Sequence, residues 1–236
     1  MLHSATFERL PEAVLRAAGH WDTRHHSQPE TPAASATRQA MTIAISRQTG
    51  TRGEEIAREV GRMLDWPVFD HELLEQIAAE MQVRVDLLES VDEQHQSWLL
   101  ESLEALAPKA TVSETSYLRH LVETVCSLAA HGECVIVGRG AAQFLPGAST
   151  LRVRIVAPKA DRIAQTQRRE NCTHREAERM MTTRERQRIA FVKEHFQKDA
   201  ADPWHYDLVL NTQHWSAGDC AELIVAALKL KSTSAD

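Results

Sequence analysis

Between an apolar run ending at Ile45 and a helical pattern starting at Glu54, the chain reads Ser46-Arg47-Gln48-Thr49-Gly50-Thr51-Arg52-Gly53. A loop that joins the carboxyl end of a buried strand to the start of a helix presents backbone N–H groups and the positive end of a helix dipole, and together these hold anions. Gly50 and Gly53 allow the tight path such a loop needs. Set against G-x-x-x-x-G-K-[ST], with Gly50 ahead of the final G-K, the match is incomplete. Arg52 stands at the last glycine and Gly53 at the lysine, and the acidic pair Glu54-Glu55 follows where the Ser/Thr that binds magnesium would stand. Phosphoryl transfer needs positioning and neutralisation of charge spread over phosphate oxygens, normally by lysine, arginine and a divalent ion. Arg47 and Arg52 are the local cations able to take the absent ammonium's task, and Ser46, Arg47, Gly50, Thr51 and Gly53 are the residues placed to cradle donor phosphates. Glu55 has two readings: a carboxylate that favours the helix dipole, and a metal ligand.

Such a loop works only on a strand-to-helix scaffold, and the rest of the chain supplies one. Short apolar runs at 42–46, 67–69, 133–137, 151–156 and 207–210 read as strands covered on both faces. Helical patterns alternate with them. One runs over 54–64. A second follows the capping box Thr111-Val112-Ser113-Glu114, extends through Ala130 and ends at Gly132. A third follows Thr173-His174-Arg175-Glu176 towards Gln197, and a last one spans 217–229 behind Ser216. This alternation predicts an α/β fold with a doubly wound parallel sheet, whose ligands bind beyond the carboxyl ends of the strands. Residues 71–110 carry a helical face of Leu73, Leu74, Ile77 and Ala78. Within that span Val83 to Leu88 and Trp98-Leu99-Leu100 read as cover for a substrate or for a partner subunit, so a homo-oligomer stays open. Residues 1–40 have linker composition around one short helix at 10–19 and are set apart as a flexible arm from a domain over 41–236.

The 236 residues are 43% hydrophobic, enough for a core, and the formal net charge of -6 argues against a nucleic-acid partner. Cys126, Cys134, Cys172 and Cys220 show no zinc or redox spacing. No run has the 18 or so apolar residues of a membrane helix, and a cytoplasmic location is expected.

The segments ISRQTGTRGEEIAREVGRMLDWPVFDHELLEQIA, VIVGRGAAQFLP, RVRIVAPKADRIAQTQRRE and TTRERQRIAFVKEHFQKDAADPWHYDLVLNT, in this order, resemble the cytidylate-kinase-like family of P-loop proteins. The resemblance covers nearly all of 41–230. It implies the nucleoside monophosphate kinase fold: five parallel strands, a phosphate loop after the first, an acceptor site, and an arginine-bearing helical lid at about 168–200. The branch it most resembles writes its loop S-R-x-x-G-S-x-G, also without the lysine; Arg52 in place of the last glycine is particular to this sequence.

The resemblance further implies that Arg139, in Gly138-Arg139-Gly140, meets the acceptor's phosphate. Cytidylate kinases carry an acid where this chain has Gly140. Asp70 matches an aspartate near acceptor and metal, and it is equally suited to cap the helix beginning at His71-Glu72. In the lid region Arg184 and Arg188, spaced to share a helical face, would close over the transferring group, with Arg162, Arg168, Arg169 and Arg186 nearby; a salt-bridged solvent face is the alternative. The implied activity is transfer of a terminal phosphoryl group from ATP or GTP, with magnesium, to a nucleoside monophosphate or similar phosphorylated acceptor. Its alternatives are a catalytically inactive nucleotide-binding regulator of the same fold and an oligomeric interaction protein.

Overall fold

The computed structural model describes residues 40–72, 74 and 112–233. The arm over 1–39, the capping residue Thr111 and most of the 71–110 segment, with Leu73, Ile77, Ala78, 83–88 and 98–100, lie outside the described residues. By contacts the chain divides into two compact units, one formed by residues 1–40 and 72–133, the other by 41–71 and 134–236.

The second unit is built on a five-stranded parallel sheet. Its strands are β1 (Thr42–Arg47), β2 (Val68–Phe69), β3 (Val135–Val137), β4 (Thr150–Val156) and β5 (Leu208–Asn211), arranged β2-β3-β1-β4-β5. The chain therefore leaves the sheet centre from β1, runs to one edge, and returns past it to the other. That reversal puts the end of β1 at a topological switch point, where parallel sheets open a crevice. Helices α1 (Gly53–Leu64), α3 (Ala141–Phe144), α4 (Lys159–Glu170), α5 (His174–Phe196) and α6 (Ala217–Thr233) connect and cover it. Helix α2 (Val112–His131) belongs to the first unit, buries Leu121, Val125 and Cys126, and ends at Gly132 with φ +69°.

Pleating divides the central strands into two chemically different faces. Ile43, Ile45, Val153 and Ile155 join Ile56 and Val60 of α1 and Ile224 and Leu228 of α6 in one core cluster. Ala44, Ser46, Arg152 and Arg154, the alternate residues of β1 and β4, turn to the other side, where Arg154 bonds Ser46. The expected continuous apolar strand at 151–156 is thus an alternating one, because only one of its faces meets the α1/α6 layer. Strand β5, expected to be covered on both faces, has Val209 45% exposed, since it is a sheet edge with a single neighbour.

Local signals place the helices. In α1 the spacing of Ile56, Ala57, Val60 and Gly61 puts the buried residues on one stripe, and Asp65 in the left-handed region closes the end. In α5 the Thr173 hydroxyl accepts from the Glu176 amide while the Glu176 carboxylate accepts from the Thr173 amide, the expected reciprocal cap. Ser216 and Asp219 make the same exchange at the start of α6, at 2.8 and 3.1 Å.

Candidate functional site

The loop leaves β1 at Arg47 and enters α1 at Gly53. Its path is fixed by backbone bonds: Gln48 N–H donates to the Ile155 carbonyl at 3.0 Å, and the Thr51 hydroxyl donates back to the Gln48 carbonyl at 2.8 Å. Gly50, with φ +83°, turns the chain so closely past α4 that a Cβ there would collide with the Arg162 carbonyl oxygen. Thr51 is buried and its hydroxyl is committed to closing the loop.

The two arginines proposed for the lysine's task take opposite courses. Arg52 is itself the left-handed N-cap residue of α1, φ 57°, and its Nη2 reaches outward to the Trp215 carbonyl at 2.7 Å. Arg47 runs inward and is 7% exposed. A Cβ on Gly53 would lie 2.8 Å from the Arg47 Cβ and Cγ, and one on Gly138 would collide with its Nη1. Glycine at the lysine position therefore makes room for the Arg47 stem, and Gly138, just past β3, makes room for its head. Arg47 Nη2 donates to Glu54 Oε1 at 3.3 Å. Burial lowers the Arg47 pKa, while Glu54 and Asp70 oppose the shift. Glu54 also accepts from Arg169 Nη1 at 2.9 Å. Burial alone would push the Glu54 carboxyl up, but Arg169 and Arg47 outweigh it and hold it below the usual carboxylate range.

Sequence reasoning placed the metal-facing acid at Glu55. The structure has Glu55 exposed, and it is Glu54, directly after Gly53, that turns towards Arg47. Among the described residues no group of three His, Cys, Asp or Glu could hold a metal ion alone. Magnesium carried on nucleotide phosphates needs only one or two protein carboxylates. Glu54 and Asp70, both acting on Arg47, are the acids that fit that demand.

Helix α5 faces the loop with Arg184, Glu185 and Arg188, spaced to share one side, while Arg186 and Gln187 are exposed. Arg188 Nη1 donates to Thr49 Oγ1 at 3.1 Å, and burial, then the neighbouring Arg47 charge, push its pKa down to about 10. Arg184 instead pairs with Glu170 of α4 at 2.7 Å. The Thr49 amide donates to Glu185 Oε2 at 2.7 Å. Arg162 and Arg154 flank that carboxylate, each at 3.9 Å. Arg168 is exposed on α4.

Arg154 and Glu185 were missed as site residues. The signal was present: in Leu151-Arg152-Val153-Arg154-Ile155 the arginines alternate with the core residues of a central strand and so share the opposite face, where Arg154 is buried and Arg152 half-buried. Ser46, expected at a phosphate, accepts from Arg154 Nη1 at 2.6 Å and lies 3.3 Å from the Tyr206 hydroxyl, which donates to the Ala200 carbonyl at 2.8 Å.

Beyond β3, Gly138, Arg139 and Gly140 all have positive φ, at 87°, 48° and 73°. Left-handed geometry in a non-glycine residue costs about 1–2 kcal/mol. The turn presents the Arg139 guanidinium to the Phe191 ring, 5.6 Å from its centroid. Gly140 has to lack a side chain, because the Phe196 ring, stacked on Phe144 at 5.0 Å, occupies the volume a Cβ would need. Asp70 follows β2 directly before the helical His71 and Glu72.

The site thus gathers Arg47, Arg139, Arg154, Arg162 and Arg188 against Glu54, Glu185 and Asp70, with the Nε of Arg47 and of Arg162 buried and lacking an acceptor among the described residues. An excess of buried and half-buried guanidinia at a strand-to-helix loop suits a multiply charged oxyanion.

A five-stranded parallel sheet in this order, with helices on both sides and a strand-to-helix loop at the end of β1, defines a doubly wound α/β protein. The model of the cytidylate kinase-like family matches residues 42–214, and the chain belongs to that family. A cytidylate kinase of Methanopyrus kandleri (strain AV19) is 32% identical over 83 residues, 35% of this chain and 43% of that protein, so the match spans less than half the relative's length. In fold, the chain is similar to an uncharacterized protein from Eubacterium ventriosum ATCC 27560, with a TM-score of 0.56 and 17% identity over 80% of this chain and 98% of that one.

Proposed function

We propose that this chain is a nucleotide-dependent phosphotransferase that moves the terminal phosphoryl group of ATP or GTP, carried with magnesium, to a nucleoside monophosphate or similar phosphorylated acceptor. The observation that carries the reading is the loop amide of Thr49 with an anionic oxygen bound to it between Arg154 and Arg162, 2.7 Å away. The carboxylate there stands in for a phosphate oxygen.

The roles follow from position. Loop amides and Arg47 hold the donor phosphates, Arg47 delivering from β1 the charge that a lysine would deliver from the first turn of α1. Arg139 and Asp70 serve the acceptor, and Arg188 comes from α5 to the transferring group; Arg184 would join it only on leaving its pair with Glu170. An acceptor phosphate oxygen attacks the terminal phosphorus, the bond to the bridging oxygen breaks, and the charge moves to that leaving oxygen, where guanidinia stabilise it. Magnesium, when bound, would neutralise charge on the donor phosphates, with Glu54 and Asp70 as its protein carboxylates. No covalent enzyme intermediate is required.

One observation favours a second reading, a nucleotide binder without turnover: the residue after Gly53 is the carboxylate Glu54, salt-bridged to two arginines, where a transferase carries a hydroxyl. Coupled nucleoside diphosphate release with ATP or GTP and magnesium, run across the nucleoside monophosphates beside calorimetric titration of the donors, decides. Turnover on one acceptor supports transfer, binding without turnover supports the second reading, and absence of binding sinks both.

A further inference from the structure

We propose that Glu185 is a built-in occupant of the loop's anion site, a carboxylate that an incoming polyphosphate must displace, and that it thereby sets an affinity threshold below which a weakly bound, singly phosphorylated ligand leaves the site closed. This rests on the reading of the loop as a phosphate site.

The geometry of the contact is that of a bound ligand. Glu185 Oε2 accepts the Thr49 amide at 2.7 Å, its two oxygens face Arg162 and Arg154 at 3.9 Å each, and its side chain is only 18% exposed. Arg162 Nη1 also reaches the Thr49 carbonyl at 3.5 Å, and Arg188 Nη1 its hydroxyl at 3.1 Å, so one residue of the loop is gripped by both lid helices. An anion can reach the Thr49 amide only after the carboxylate leaves.

Glu185 has somewhere to go. A cavity of 330 Å³ between α4 and α5 is lined by Lys159, Arg162, Met181, Thr182, Arg186 and Ile189 together with Glu185 itself. A rotamer change would move the carboxylate from the loop into that largely apolar cavity, where Lys159 and Arg186 are the further cations of its lining. The exchange gives up a charge of one and gains the charge of the ligand. It is weakly favourable for a monoanionic phosphate and strongly favourable for a triphosphate, which spreads its oxygens over several of the same cations. Glu185 works by competition, without touching the bound ligand, and weakens every anion at this site by the same factor. Arg188 lies three residues further along the same helix, so the displacement is felt by the arginine that faces the transferring group.

The test compares wild type with Glu185→Gln, which keeps the size and an oxygen acceptor for Thr49 but removes the charge. Inorganic phosphate, tripolyphosphate and ATP with magnesium are titrated calorimetrically into each, and thermal unfolding of the ligand-free proteins is recorded. The proposal expects phosphate and tripolyphosphate each to bind the variant about 10-fold more tightly or better, by the same factor, and the ligand-free variant to unfold at a lower temperature. Should the variant not fold, Glu185→Asp, which withdraws the charge by one methylene, is expected to shift the same way by a smaller factor. Equal or weaker binding by a folded variant overturns the plug while leaving the loop's function standing. Binding of no polyphosphate by either protein overturns the functional reading, and the plug with it.

Discussion

The lysine absent from the loop makes a sharp prediction, because the structure sends its two candidate replacements in opposite directions. Arg47→Met keeps an unbranched stem in the channel between Gly53 and Gly138 and removes the charge. Arg52→Ala removes a half-buried side chain bonded to the Trp215 carbonyl. A unit charge about 4 Å from a phosphate oxygen is worth about 4 kcal/mol at an effective dielectric constant of about 20. Part of that is already spent on Glu54, which Arg169 also holds, leaving about 3 kcal/mol, or about 100-fold in ATP affinity.

Stability should change little in Arg47→Met, by about 1 kcal/mol at most. Removing one partner of a buried pair strands the other charge, but Glu54 keeps Arg169, and Arg47 Nε has no acceptor among the described residues to lose. Calorimetric titration with ATP and magnesium, paired with urea unfolding, reads both quantities. Arg47→Met should lose about 100-fold in affinity at nearly unchanged stability, and Arg52→Ala about 3-fold or less. The reverse order would refute the assignment and return the lysine's task to Arg52.

Two further outcomes concern the frame. Gly140→Ala should destabilise by about 2–5 kcal/mol, the sum of left-handed strain and overpacking against Phe196. In Gly140→Ala/Phe196→Ala the overpacking part should be relieved, so urea unfolding should show coupling of about 1–3 kcal/mol, and strict additivity would mean the ring does not set the residue at 140. Burial pushes the Cys126 and Cys134 thiols up to about 12, and Cys220 is raised by burial as well. At pH 8 these three stay protonated in the native protein, so a disulfide-exchange reagent should titrate about one thiol, the half-buried Cys172, and all four after unfolding in urea.

The fold was legible wherever a local rule acted alone. Alternating strand and helix patterns, the Thr173/Glu176 and Ser216 caps and the Gly132 stop are each set by near neighbours in sequence, and the observed elements begin or end within two residues of the expected bounds at most of them. Misreadings arose where distant packing decides. Val209 reads as a covered strand residue until β5 is seen to be an edge. Arg154 reads as a polar interruption until β4 is seen to have one face on the core and one on the loop. At the site, spacing identified which arginines share a helical face but not the partners they meet there. Nothing local distinguishes Arg52 from Arg47, and nothing local says that Gly53 and Gly138, far apart in sequence, clear space for the same side chain. The separation of Arg184, drawn to Glu170, from Arg188, drawn to Thr49, is likewise set by where α4 passes.

Helix α5 touches the site at two stations, Glu185 and Arg188 at the loop and Phe196 over Gly140. Eleven residues of helix, about 16 Å and close to three whole turns, separate Glu185 from Phe196 and keep both on one side of the cylinder. That stretch is therefore a ruler whose length is fixed while the lettering on its exposed side is free. Exposed residues within it, such as Lys193 and Glu194, can be exchanged at little cost. Loss or gain of a single residue would swing one station about 100° away from its mark. Natural or designed relatives that keep both marks should vary in composition between them and never in count.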